Sequence, residues 1–239
     1  MTKHLLLTFL AIAGFSIGAR AQFGLNAHYF SGDDRAWYLA TTNNPNVTPI
    51  LDKGYAFGLN YWFRLKNYRV EFLPELSAGF AEASWDGASE ADKVTFKHTL
   101  GSLFLNTQIY FLDIKGDCNC PTFSKEGPTF EKGLFVFITP GVTLGNTKAS
   151  SATVTSDEQA LAFSIGGGIG MDFGVSDVLT ITPLLGLRYY PDANFPTLET
   201  FADNLRPGDW IVRETSLLQY YAGLRLGFRF DYNNRRRRW

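Results

Sequence analysis

Cysteine is nearly missing: two occur among 239 residues, Cys118 and Cys120. A chain so poor in cysteine is no disulfide scaffold. Histidine is also scarce, three in all, and none lies near the cysteine pair. That pair alone supplies two of the four ligands a structural zinc would need. After residue 17 no apolar run reaches the roughly 18 residues required of a membrane-crossing helix. An excess of charge of one sign is missing too, with 22 basic residues against 23 acidic ones. This balance excludes an electrostatic nucleic-acid binder. Aromatic residues, by contrast, make up 15% of the chain, and glycine occurs 23 times.

The first residues have the form of an export signal. Lys3 and His4 precede the apolar run Leu5 to Ile17, and Ala19-Arg20-Ala21 follows. A positive start, a short greasy segment and an A-x-A site predict a signal peptide over 1–21, cut before Gln22. Removing Lys3 and Arg20 takes the basic count from 22 to 20 against an unchanged 23 acidic residues, a net charge of −3.

Strict alternation of apolar and polar residues recurs eight times, over 23–29, 55–64, 69–80, 102–111, 134–145, 161–173, 179–190 and 218–232. Period two is the mark of a strand with unlike faces. The connections at Lys66-Asn67 and Ser176-Asp177 are tight. Residues 31–53, 84–96, 148–158 and 191–215 are long and polar. Short turns at one end and long loops at the other are the pattern of an outer-membrane barrel. Residues 113–132 break that rule. Prolines at 74, 140 and 183 fall on the apolar face of three strands, inside related stretches (Leu73-Pro74, Thr139-Pro140, Thr182-Pro183), and predict a shared bulge or kink.

The rival architecture is a soluble barrel with its apolar face inward. Three features oppose it. The polar face is mostly glycine, serine and threonine, which suit a narrow interior. Charges recur on it at Arg64, Arg69, Glu71, Glu75, Asp172, Arg188, Arg225 and Arg229, and each would cost about 2–4 kcal/mol facing lipid at the midplane. Aromatics gather at both ends of the stripes, as interfacial girdles do. The expected fold is therefore all-β: an eight-stranded antiparallel up-and-down transmembrane β-barrel over 22–232, with long extracellular loops. A basic tail follows at 233–239. Eight strands leave room inside only for side chains, so an Arg/Glu/Asp/Asn/Gln network is expected in the lumen, with the eight charged residues as its named members.

The signal peptide, the eight alternating strands and the ending GLRLGFRFDY (223–232) resemble the small outer-membrane β-barrel proteins of Gram-negative bacteria. FLPELSAGF (72–80) and LFVFITPGVTLG (134–145) are similar to stretches of Bacteroidota-type barrels. The resemblance implies outer-membrane lipid around the barrel and insertion by the barrel-assembly machinery, with Phe228, Phe230 and Tyr232 as the assembly signal. Such barrels end on an aromatic residue, whereas this chain continues through Arg235–Arg238 to Trp239.

Other features have weaker functional readings. Cys118 and Cys120 mark a candidate periplasmic contact. The four arginines suit anionic headgroups or a partner, or form a solvated tail. His28, with Ser31 and Asp33 after it, and His98 stand where outer-membrane lipid-modifying enzymes place catalytic histidines, but a hydrogen-bonded structural histidine is the plainer reading. Gly166-Gly167-Gly168 with Gly170 lies mid-strand with no helix after it, so it eases curvature or close packing and is not a phosphate loop. No catalytic residue, metal or cofactor is expected. The leading function is a non-enzymatic barrel with a structural or surface-binding role through its loops and a periplasmic or surface protein as partner. The alternative is a transport or secretion accessory: a conduit for small apolar solutes or an export-complex subunit.

Overall fold

The computed structural model describes residues 22–32, 38–41, 44–49, 53–65, 68–85, 93–112, 114, 129–152, 155–176, 178–192 and 216–229. The expected signal peptide, Cys118, Cys120, Phe230, Tyr232 and the basic tail lie outside these residues, as do the side chains of Arg64 and Arg229.

Eight strands form one closed ring. They are β1 Gln22–Gly32, β2 Lys53–Tyr61 continued by Phe63–Arg64, β3 Val70–Trp85, β4 Val94–Ile109, β5 Leu134–Ser150, β6 Thr155–Met171 continued by Phe173–Gly174, β7 Leu179–Tyr190 and β8 Leu217–Arg229. Each is antiparallel to the next, and β8 closes on β1 with Leu226 opposite Leu25. Following the pairings from β1 through β8 and back to β1 arrives ten residues beyond the starting point. That stagger tilts the strands and closes a narrow barrel. A separate two-stranded hairpin, Tyr38–Thr41 with Asn44–Pro49, lies between β1 and β2 in the sequence.

Polarity is inverted relative to a soluble protein. Leu76, Leu103 and Phe163 point outward and are 65%, 56% and 65% exposed, whereas Asp172 is 3% exposed. On β3 the outward positions run from Val70 to Phe80. Ten residue steps cover about 33 Å of strand, or about 25 Å along the axis at the usual tilt, the height of a membrane barrel's apolar band. Aromatic pairs mark both edges of the belt. Phe23–Tyr61 and Phe63–Phe72 sit at the end with the short turns, at 5.9 and 5.4 Å between ring centres, and Tyr29–Tyr55 at the other, at 5.3 Å. At the Ser176 turn, the hydroxyl accepts from the Leu179 N–H at 3.0 Å.

Two of the expected long loops are strand at both ends. β3 runs on to Trp85 and β4 begins at Val94; β5 runs to Ser150 and β6 begins at Thr155. The cause is a change of polarity within the strands. Above the belt the inward residues Val94, Phe96 and Ala149 are apolar and buried. The outward ones, Glu82, Lys97, Lys148 and Asp157, form a cross-strand row with Lys97–Glu82 at 3.8 Å and Lys148–Asp157 at 3.1 Å. A polar stretch looked like loop, but it is strand that has left the apolar layer.

The three prolines form no bulge. Pairing skips Tyr61–Pro74, Leu105–Pro140 and Met171–Pro183, yet the register is identical on either side of each gap. A bulge would add a residue to one strand. Each proline only withholds its missing N–H from the preceding strand. At two gaps a threonine bridges the lost pair. Thr139 Oγ1 donates to Asn106 Oδ1 at 2.7 Å, and Thr182 Oγ1 donates to Asp172.

The glycines of β6 have a packing role, as expected. Phe137 stands opposite Gly168 and Phe135 opposite Gly170, with both rings turned inward over the glycines. A Cβ on Gly168 would meet the Leu185 carbonyl oxygen and lie 2.6 Å from Gly186 Cα and 2.7 Å from Phe137 Cζ. Gly168→Ala is expected to destabilise the barrel by about 1–3 kcal/mol or more through overpacking. Gly101→Ala, whose Cβ meets nothing nearer than 3.9 Å, is expected to stay within about 0.5 kcal/mol. Denaturant unfolding of the detergent-solubilised barrel measures both.

Candidate functional site

The inward faces bring polar side chains from every strand into the lumen, and they gather at two centres. The lower one, toward the short turns, is built on Asp172, which follows β6 proper. Arg225 Nη2 of β8 lies 3.1 Å from Asp172 Oδ1 and 3.3 Å from Thr182 Oγ1. Tyr110, fully buried just beyond β4, places its hydroxyl 2.6 Å from Asp172 Oδ2 and 3.1 Å from Glu71 Oε2. Its one proton thus bridges two carboxylates. Asp172 accepts from three donors on three different segments, which is how a buried carboxylate escapes the cost of lost hydration.

Arg69 closes the bottom of this centre. Its guanidinium lies 4.4 Å from the Tyr110 ring centre, and Nη2 donates to the Lys132 carbonyl at 2.6 Å. Its own N–H donates to the Ile114 carbonyl at 2.9 Å. Ile114 and Lys132 belong to the two ends of the long segment that breaks the short-turn rule. Arg69 therefore pins both ends of that segment to the barrel mouth, and a helical turn, Thr129–Gly133, leads from there into β5.

The upper centre converges on Glu75 of β3. Asn26 Nδ2 and Asn106 Nδ2 both donate to Oε2, at 2.6 and 2.7 Å. Asn60 Nδ2 in turn donates to Asn26 Oδ1 at 3.1 Å. His28 Nε2 stands 3.8 Å from Glu75 Oε1. Gly58 makes room, since a Cβ there would come 2.5 Å from Glu75 Oε1. Above Glu75, Arg188 is held by rings as much as by charge: its guanidinium lies 3.7 Å from the Phe104 ring centre and 5.0 Å from that of Tyr221. Aromatic faces attract a desolvated cation, most readily a guanidinium.

The two centres adjoin two small voids. One, of about 30 Å³, is lined by Glu71, Asp172, Arg225 and Asn60 among others. The second, of about 20 Å³, is lined by His28, Glu75, Arg188 and Tyr221. Both are of water size.

Six of the eight expected network residues have described side chains, and all six face inward: Arg69, Glu71, Glu75, Asp172, Arg188 and Arg225. For Arg64 and Arg229 only the backbone is described, opposite Glu71 and Gln22. Phe228 is half-buried on β8 opposite Phe23 and Leu179. His28, next to Tyr29 at the outer edge of the belt, turns inward with Nε2 3.8 Å from Glu75 Oε1. Ser31 lies on the opposite face of β1, so His28 and Ser31 do not meet. His98 is buried, with Nδ1 2.9 Å from Thr147 Oγ1, a hydrogen-bonded histidine.

Sequence reasoning expected asparagine and glutamine in the lumen and placed Asn26, Asn60, Asn106, Thr139 and Thr182 on the inward faces, but it gave no role to Tyr110 or to the inward rings Phe104, Phe135, Phe137 and Tyr221. The available signal was pairing. Phe104 faces Gly141, Phe135 faces Gly170, Phe137 faces Gly168 and Tyr221 faces Gly186 across neighbouring strands.

Arg225→Met is expected to cost about 3–5 kcal/mol, because it strands a buried carboxylate. Arg225→Met combined with Asp172→Leu should recover a large part of that loss. Equilibrium unfolding in detergent of the two single variants and the double variant measures the coupling.

No family model matches the sequence, and no curated protein matches it. Solved structures of similar fold include three outer-membrane proteins. The N-terminal β-barrel domain of OprF from Pseudomonas aeruginosa is 12% identical, over 87% of this chain and 97% of that one, with a TM-score of 0.44. A major outer membrane protein from Thermus thermophilus is 11% identical, over 87% and 99%, with a TM-score of 0.47. Ail, the attachment invasion locus protein of Yersinia pestis, is 10% identical, over 87% and 99%, with a TM-score of 0.41.

Proposed function

We propose that this chain is a non-enzymatic outer-membrane β-barrel, an anchor with a plugged interior that carries a structural or surface-binding role on its outer end. One observation carries the reading. Three inward cations, Arg69, Arg188 and Arg225, stand among three inward anions, Glu71, Glu75 and Asp172, within a lumen whose voids are of water size. Among the described residues these side chains converge on Asp172 and Glu75 and fill the lumen, which supports a plugged interior. The outward apolar belt and its aromatic edges favour lipid as the surrounding solvent. Insertion by the barrel-assembly machinery fits a last strand carrying Phe228, with Phe230 and Tyr232 following it. The stretches 72–80 and 134–145 relate the chain to Bacteroidota-type barrels.

The barrel reconstituted in a planar lipid bilayer is expected to give no discrete current steps. Regular channel openings from the pure, folded protein would overturn the plugged-anchor reading in favour of a conduit.

A further inference from the structure

The expected export cut and the start of the barrel fall at one residue. The A-x-A site predicts cleavage before Gln22, and β1 begins at Gln22. No spacer separates the new chain end from the barrel wall. The Gln22 carbonyl accepts from the Trp62 N–H at 3.0 Å, and Gln22 stands opposite Arg229 on β8. Gln22 is half-buried, on the same face of β1 as Gly24 and Asn26. The next residue, Phe23, already belongs to the aromatic edge of the belt, its ring centre 5.9 Å from that of Tyr61.

Cleavage there creates an α-ammonium at the edge of the apolar layer. A cation at that level loses hydration, and its register partner is an arginine. Glutamine can remove this charge with its own atoms. An α-amine is a weak enough base that part of it is uncharged and nucleophilic near neutral pH. The side-chain amide carbon lies where attack by that nitrogen closes a five-membered ring.

We propose that Gln22 is a modification site and that the mature chain begins with its cyclic form, a pyroglutamyl residue. The α-nitrogen attacks Cδ, the lactam C–N bond forms and the Cδ–Nε2 bond breaks. Nε2 leaves as ammonia with one proton taken from the amine, and nothing is oxidised or reduced. The charge of the chain end is lost, while the backbone carbonyl that accepts from Trp62 is untouched. This rests on the cut expected before Gln22. The cap protects the strand that closes the ring. β1 pairs with β8 from Gln22 to Gly32, and aminopeptidases act on a free α-ammonium. A capped chain therefore reaches the membrane unfolded without losing the first residues of its closing strand.

The test uses outer membranes freshly isolated from the cells that make the protein. Free amines are first dimethylated with formaldehyde and cyanoborohydride, so that no glutamine can cyclise during later handling. Trypsin, then blocked at lysine, releases 22–35 for mass measurement. In most molecules this peptide is expected without label and lighter than its sequence by one ammonia. A dimethylated Gln22 in most molecules, or a mature chain starting anywhere but at residue 22, would overturn the proposal. Gln22→Ala is the control. It should carry the label and keep the heat-dependent gel mobility of a folded barrel. In urea it should lose N-terminal residues to a broad-specificity aminopeptidase that leaves the wild type intact. Equal trimming of the two proteins would overturn the proposal as well. A free Gln22 amine on a non-conducting barrel would sink this inference alone. A capped chain in a conducting barrel would sink only the anchor reading.

Discussion

Hydrocarbon offers no hydrogen-bond partner, and every other feature of this molecule follows from that. Within the apolar layer each backbone N–H and C=O must be answered by another strand, so the sheet has to close. Closure by eight strands fixes a narrow interior. A narrow interior decides which inward residues are possible: either small, or large and matched to a gap on the next strand. The pairing of Phe135 and Phe137 with Gly170 and Gly168 follows directly from that limit. So does the crowding of Tyr221 over Gly186, where a Cβ would come 2.6 Å from the ring.

Proline is the sharpest challenge to closure, and the chain admits three on outward-running strands. Each removes a donor from a ladder that hydrocarbon cannot repair. The register nevertheless passes through unchanged, because two of the gaps are bridged from inside. Thr139 reaches Asn106, and Thr182 reaches Asp172. The Thr-Pro pair thus divides its work between faces: the proline ring goes to the lipid and the hydroxyl to the lumen. The Asp172 bridge is also part of the Arg225 ion pair, so ladder repair and charge neutralisation share one carboxylate.

Much of the fold was legible because period two is a strong signal and each face meets one solvent. The outward residues of all eight strands were assignable from alternation alone, and so were the inward charges. What escaped was whatever depends on a neighbouring strand. A proline on the apolar face signals a lost donor, but whether the register slips depends on the residue opposite, Asn106 or Asp172. Inward Phe104 and Tyr110 blurred the alternation of β4, since apolar rings stood on the supposedly polar side. Their fit becomes visible only beside Gly141 and beside the Asp172 carboxylate. The reach of β3 to β6 beyond the belt was hidden by composition, because Lys97 and Lys148 look like loop residues once lipid is assumed on the outside.

That last case extends to the whole chain. Alternation fixes which residues share a face, but the solvent fixes which face must be apolar, and the solvent changes along the strand. Within the belt, Leu103 goes out and Ser102 in; a few residues higher on the same strand, Lys97 goes out and Phe96 in. No kink or change of register accompanies the switch, since the pairs from Val94–Trp85 to Ile109–Val70 keep one register. β4 therefore records the lipid boundary in its own sequence, at the point where the greasy residue crosses from one side of the strand to the other. The boundary falls near the outward row of Phe80, Thr99, Asn146 and Gln159, one step below the charged row. Above it, closure is no longer imposed by the solvent, because water can answer an unpaired amide.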